Sequence, residues 1–156
     1  MATGAHGVVA LVSVHPEFAN LILTGRKTVE FRKRRFAEAI THVVIYATSP
    51  VQKVLGFFEV SGVYEDTPGR LWNRYRKEGG IGRKVFLAYY GESPRGIAIE
   101  VGRVFTLSRP LSLSQIGRSG AAPQSFRYIS GDPVTKLVRK GYARVEPGNR
   151  SLVSGV

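Results

Sequence analysis

The sequence predicts an α+β fold, a small curled β-barrel built on a mixed sheet with short helices around it. Runs rich in Val, Ile and aromatic residues recur along the chain with short helical segments between them. The longest β run is interrupted by glycines, as strands that bend around a barrel are. A chain of 156 residues has the usual size of one domain and can enclose one core. The expected domain covers residues 8–145, with flexible termini at 1–7 and 146–156.

Taken in order, "VVALVSV" (8–14) is rich in Val and reads as a strand. Pro16 then stands at a favourable first helical position, preceded by His15. "EFANLIL" places Phe18, Leu21 and Ile22 at helical spacing, and Gly25 supplies the stop. "KTVEFR" (27–32) alternates. Val29 and Phe31 are expected on the core face of a half-buried strand, with Glu30 and Arg32 projecting from the other wall. "HVVIYAT" (42–48) is a further strand ended by "SP", and "KVLGFFEVSGVYE" (53–65) is a longer one bent at Gly56 or Gly62. Two helical pieces follow. "PGRLWNRYRKEG" carries Leu71, Trp72 and Tyr75 at helical spacing, and "GRKVFLAYYG" carries Val85, Phe86 and Tyr89 likewise. "RGIAIEVGRVFTL" (95–107) alternates as a strand. After "RPLSLSQIG" and "AAPQSFRYIS", a helix is expected from Pro133 to Lys140, and the tail "EPGNRSLVSGV" reads as poorly ordered.

Charge is the first functional clue. Twenty-three Lys and Arg against 11 Asp and Glu leave a net +12, a field that concentrates polyanions near the surface. Nucleic acid is favoured over a basic protein merely kept soluble by self-repulsion. A membrane surface is not favoured, because no long helix opposes basic and apolar faces. The apolar runs are far shorter than the roughly 18 residues that a membrane span needs. "MATGAHG" has no basic stretch ahead of a hydrophobic region, so no secretory signal is read and a cytoplasmic location is the default. With no cysteine there are no thiolate metal sites, and His6, His15 and His42 lack ligand-like spacing, so no metal is expected. "GGIG" fits neither a P-loop nor a dinucleotide fingerprint, and Ser13 and Ser49 lack a nucleophile motif. No cofactor is implied.

The ordered set "LVSVHPEFANLILTGRKTVEFRKR", "YATSPVQKVLGFFEV", "GGIGRKVFLAYYGESPRGIAIEVGRV" and "RPLSLSQI" with "APQSFRY" resembles the ASCH domains, a branch of the PUA-like fold, over roughly residues 8 to 130. The closing part is similar to a subgroup described as predicted transcriptional regulators. The resemblance implies a curled PUA-like barrel whose cleft binds RNA, or DNA carrying modified bases. Some relatives are enzymes, either amidohydrolases acting on N4-acetylcytidine or ribonucleases. In the amidohydrolases the Lys of the "GRKT" segment matches Lys27, and the position three later holds a Thr where this chain has Glu30. A Thr hydroxyl serves as a nucleophile, whereas a carboxylate pairs with the Lys or accepts a proton. No position here matches those enzymes' catalytic Glu.

Read by themselves, Lys27 and Glu30 would point to opposite faces of a regular strand, and they converge only if the chain twists or bulges near Lys27. The alternative is a surface Lys beside a partly buried Glu paired with Arg32. Arg26, Lys27, Arg32, Lys33, Arg34 and Arg35 form a basic segment, read as phosphate contacts or as a solvated face. Tyr46 and Ser49 sit at a strand end, where a ring could stack on a base and a hydroxyl bond its edge, unless Tyr46 is an ordinary core aromatic. Phe126, Arg127 and Tyr128 form a stacking and phosphate-gripping set, or a segment that packs back on the barrel. The expected function is a nucleic-acid-binding module for RNA or DNA with a role in transcription regulation. The alternatives are an enzyme that uses Lys27 and Glu30 as catalytic groups and a regulatory domain that binds a small ligand or protein.

Overall fold

The computed structural model describes residues 7–116 and 121–129, with residues 134, 136, 137 and 143–145. The expected tail and the first six residues lie outside the described residues, as does most of the segment from Pro133 to Lys140. Within that segment Val134, Lys136 and Leu137 are helical.

One curled mixed sheet organises the molecule. Its strands are β1 (Val9–Val14), β2 (Val29–Arg32), β3 (His42–Ala47), β4 (Lys53–Asp66), β5 (Gly96–Leu111), β6 (Phe126–Ile129) and β7 (Ala143–Val145). Their order is β2-β5-β4-β3-β1-β6, with β7 paired to β5. β1 and β3 run parallel and every other pairing is antiparallel. The architecture is the half-barrel that the strand pattern predicts. The helices are α1 (Pro16–Leu23), α2 (Pro68–Tyr75) and α3 (Arg83–Tyr90), with a 3-10 turn over Leu113–Ile116. Thr67 caps α2 by accepting from the Arg70 N–H, and Pro16 begins α1 with no side-chain cap from His15.

The β runs are continuously apolar where both sheet faces are covered. In β1, Ala10, Val12 and Val14 enter the interior of the curl, while Val9 and Leu11 pack on the opposite side with Val44, Phe57 and Leu107. α2 and α3 close a third cluster of Val29, Phe31, Leu71, Tyr75, Phe86 and Tyr90. β4 bends at both expected glycines, with register shifts at Val54/Gly56 and Val60/Gly62. At Gly56 a Cβ would stand 2.4 Å from the Phe105 carbonyl oxygen, so only glycine lets β5 pass this close.

Candidate functional site

β2 lies at one edge of the sheet and β6 at the other, and the curl brings these edges toward each other. Across that seam sits a buried set of charges. Antiparallel partners share a face, so Glu30 opposite Ile99 and Arg32 opposite Ile97 point into the barrel interior, while Phe31 opposite Ala98 points at α2 and α3. The expectation of a half-buried strand is therefore corrected. All four residues of β2 are buried, because the helices cover one face and the curl covers the other.

Lys27 precedes the strand. Its backbone N–H and that of Arg26 both donate to the Leu21 carbonyl, and the Thr28 N–H donates to Glu78, which pins the turn between α1 and β2. The side chain enters a slot between Phe18 and Phe31, whose ring centroids lie 5.3 and 5.1 Å from Nζ. There it donates to the Gly79 carbonyl and lies 3.5 Å from Glu30 Oε1. Gly80 backs the slot at φ +60°, and a Cβ there would come within 2.9 Å of the Lys27 Cβ. Lys27 and Glu30 converge because Lys27 belongs to a turn and not to the strand. Lys27 is no surface residue, being 2 % exposed. Burial pulls its pKa below the ordinary lysine value, with the Glu30 carboxylate opposing that shift.

Arg32, read in the sequence as part of a basic segment that contacts phosphates or forms a solvated face, is also buried. Its guanidinium spans the seam, donating to Glu30 Oε2 at 3.2 Å, to the Ser13 carbonyl at 3.1 Å, and to the Ser125 carbonyl and hydroxyl at 3.2 and 3.0 Å. Its Nε is buried without a partner. Ser13 Oγ donates to the Pro123 carbonyl at 2.6 Å, so the segment before β6 covers the cluster through polar contacts. Tyr89 of α3 stands close enough to feel the charges of Arg32 and Glu30, and burial raises its pKa.

The remaining sequence candidates divide. Arg26, Lys33, Arg34 and Arg35 are exposed, with Lys33 over the Tyr89 ring at 5.0 Å and Arg34 over Phe126 at 5.5 Å. Tyr46 is buried in a core cluster, which is the ordinary aromatic role, and Ser49 is exposed in the turn after β3. Phe126 packs on Phe36 at 4.4 Å, and the Tyr128 hydroxyl accepts from the Ala37 and Glu38 N–H groups. Arg127 alternates to the other side of β6 and donates to the Ala121 carbonyl. Phe126 and Tyr128 thus pack back on the barrel, while Arg127 bonds the segment that precedes its own strand. Sequence reasoning missed Ser13, Tyr89 and Ser125 as neighbours of the buried cluster. No local pattern marks them, although "SFRY" begins at Ser125. Among the described residues, no group of three or more His, Asp or Glu could hold a metal ion, and no helix is long and apolar enough to cross a membrane.

The model of the ASCH domain matches residues 12–106, a span that contains the whole Lys27–Glu30–Arg32 cluster. The chain belongs to the ASCH domain family. A curated relative from Zymomonas mobilis, an ASCH domain-containing ribonuclease, is 33 % identical over 133 residues, covering 83 % of this chain and 89 % of the relative. The crystal structure of an ASCH protein from the same organism superimposes with a TM-score of 0.75 at 31 % identity, over 84 % of this chain and 94 % of that one. This ASCH domain is also 27 % identical to part of a ribosomal protein uL22 of Ureaplasma parvum, of which it covers 38 %. The curled sheet and short helices are thus those of the ASCH, PUA-like fold.

Proposed function

We propose that this ASCH domain binds single-stranded RNA and cleaves it at the seam, with Lys27, Glu30 and Arg32 as the reacting groups. One observation carries the reading: two buried cations face a single carboxylate, which leaves an uncompensated positive charge in the low-dielectric interior at the seam. A phosphodiester is the anion that would neutralise it, and the unpartnered Arg32 Nε is a donor still available to it. A residue whose pKa is shifted by burial beside a charged partner is also the usual mark of a reacting site. The likeness to a protein named as a ribonuclease favours RNA over DNA and cleavage over transcription regulation. Deacylation of N4-acetylcytidine is less well supported, since Glu30 offers no hydroxyl nucleophile at the position where those relatives carry one.

In the proposed step Glu30 takes the proton of a ribose 2′-hydroxyl as that oxygen attacks the adjacent phosphorus. Arg32 stabilises the charge on the phosphoryl oxygens, and Lys27 gives a proton to the departing 5′-oxygen. The 2′-O–P bond forms, the P–O5′ bond breaks, and a 2′,3′-cyclic phosphate is left. A lysine with a lowered pKa gives up its proton more readily than an ordinary one. The test is incubation of end-labelled single-stranded RNA with wild type, Glu30→Gln and Lys27→Met, each checked for folding by its melting curve. Cleavage by wild type that disappears in both folded variants while RNA binding persists is the expected result. Binding by folded wild type without any product would reduce the domain to a reader, and failure to bind would end the RNA reading.

A further inference from the structure

Away from the seam, an open groove of about 540 Å³ lies between the loop Arg35–Ile40 and the bent end of β4. None of Ser13, Lys27, Glu30, Arg32 or Ser125 lines it. Its volume falls in the range of small-molecule sites. Phe36, Ile40, Val60, Val63 and Ile97 supply apolar walls, and Val63 is left 40 % exposed there. The β4 wall is irregular at this place, with register shifts at Phe58/Val60 and Val60/Gly62. Such bulges re-aim side chains and gather beside functional sites.

Arg35 lines the groove together with the acids Glu38 and Glu65, and Arg95 reaches Glu65 from outside the lining. Arg35 and Arg95 share the single Glu65 carboxylate, with Nε to oxygen distances of 4.0 and 3.6 Å, so the trio keeps a net positive charge. Both guanidiniums are more than half exposed, and the exposed Lys33 and Arg34 immediately precede Arg35 in the chain. Arg35 follows Arg32 by three residues, a reach of at most about 10 Å along the chain. The groove therefore adjoins the seam closely enough for one strand to touch both. A flat ring with apolar faces, carried on a polyanionic backbone, matches apolar walls beside exposed arginines.

We propose that this groove is a second nucleotide subsite, taking one base of a single-stranded RNA whose phosphates lie against Arg35 and Arg95. The inference rests on the RNA reading of the seam but concerns a different set of residues, so the two can fail separately. The experiment uses the full chain, isotope-labelled, titrated with a single-stranded oligonucleotide about ten nucleotides long, in the range that single-strand binders occupy. The oligonucleotide carries 2′-O-methyl groups so that no cleavage follows. Amide resonances of residues 36–40 and 60–65 should shift together with those around Lys27 and Arg32. Val63→Trp, which fills the groove from an exposed position, should weaken affinity roughly tenfold, the worth of one buried base, and abolish the groove shifts alone. Val63→Asp, which sets a like charge against the phosphates, should weaken it as well and serves if the Trp variant fails to fold. Shifts confined to the seam, or a folded Val63 variant with wild-type affinity, would overturn the groove and leave the RNA reading standing. Shifts confined to the groove would overturn the seam as the place where RNA is held and leave the groove standing, and no shift anywhere would remove both.

Discussion

Replacing Arg32 with Met removes the guanidinium that spans the seam while keeping a long apolar stem. Four hydrogen bonds from a charged donor disappear, to Glu30, the Ser13 carbonyl, and the Ser125 carbonyl and hydroxyl. The Glu30 carboxylate, whose side chain is 8 % exposed, is left with Lys27 at 3.5 Å. Each bond to a charged group contributes about 1.5–3 kcal/mol, but these contributions do not add in full, because part of the cost of burying the ion is relieved when it is removed. Loss of one partner from a buried ion pair sets the scale at about 3–5 kcal/mol, a large fraction of a domain's total stability. Urea unfolding followed by circular dichroism measures it, with the slope of the transition reporting whether the denatured state has also changed. Arg32→Lys should recover part of the loss, since an ammonium keeps the charge but cannot fork across the seam. A loss under about 1 kcal/mol for Arg32→Met at wild-type slope would refute the reasoning, because that is the worth of an exposed pair.

Further outcomes follow from the same geometry. Phe31→Ala should cost about 3–5 kcal/mol in the same urea assay, since the ring is buried against Tyr75 and Phe86 and flanks the Lys27 slot. Because the folded state holds Lys27 below 10.5, the unfolded chain binds more protons between the folded pKa and 10.5, and stability should rise with pH across that window. Unfolding midpoints followed from neutral pH up to 10.5 should show that rise in wild type and not in Lys27→Met. In Glu30→Gln, which lacks the opposing attraction, the rise should begin at lower pH. Gly80→Ala should lose more than about 1 kcal/mol by thermal melting, since a Cβ at φ +60° is strained and meets Lys27 at 2.9 Å. Changing Arg34 and Arg35 together to Gln should leave stability within about 0.5 kcal/mol and lower the salt dependence of RNA affinity by about one unit of slope per residue.

Much of the fold was legible because side-chain periodicity reports backbone type. "KVLGFFEVSGVYE" was expected to be a long bent strand, and β4 runs Lys53–Asp66 with shifts at both glycines. The two helices rich in aromatic residues appear within a few residues of their expected bounds, the first ending at Tyr75 and not continuing to Gly79. The candidate site was legible in part. Lys27 and Glu30 stood out as an odd pair in a basic stretch, and they do meet. Whether they would meet depended on where the turn gives way to the strand, which three residues of sequence do not decide.

By itself, the sequence determined the first five strands, the three α-helices around them, the glycines that bend β4 and the net charge of +12, because each depends on residue type and short-range spacing, whereas β6 and β7 were not legible as strands. Only the tertiary structure decided which charges meet water. Arg32 and Arg34 are two residues apart in one basic run, yet one is buried and the other exposed. The curl of the sheet brings Ser13 and Ser125, 19 and 93 residues away in the chain, onto the Arg32 guanidinium. Burial is a property of contacts between distant segments, and a buried charge holds its place only where those segments supply its partners. The same contacts drew Tyr46, Phe126 and Tyr128 into packing, and put Lys27, Glu30 and Arg32 in one buried cluster that no spacing of residues announces.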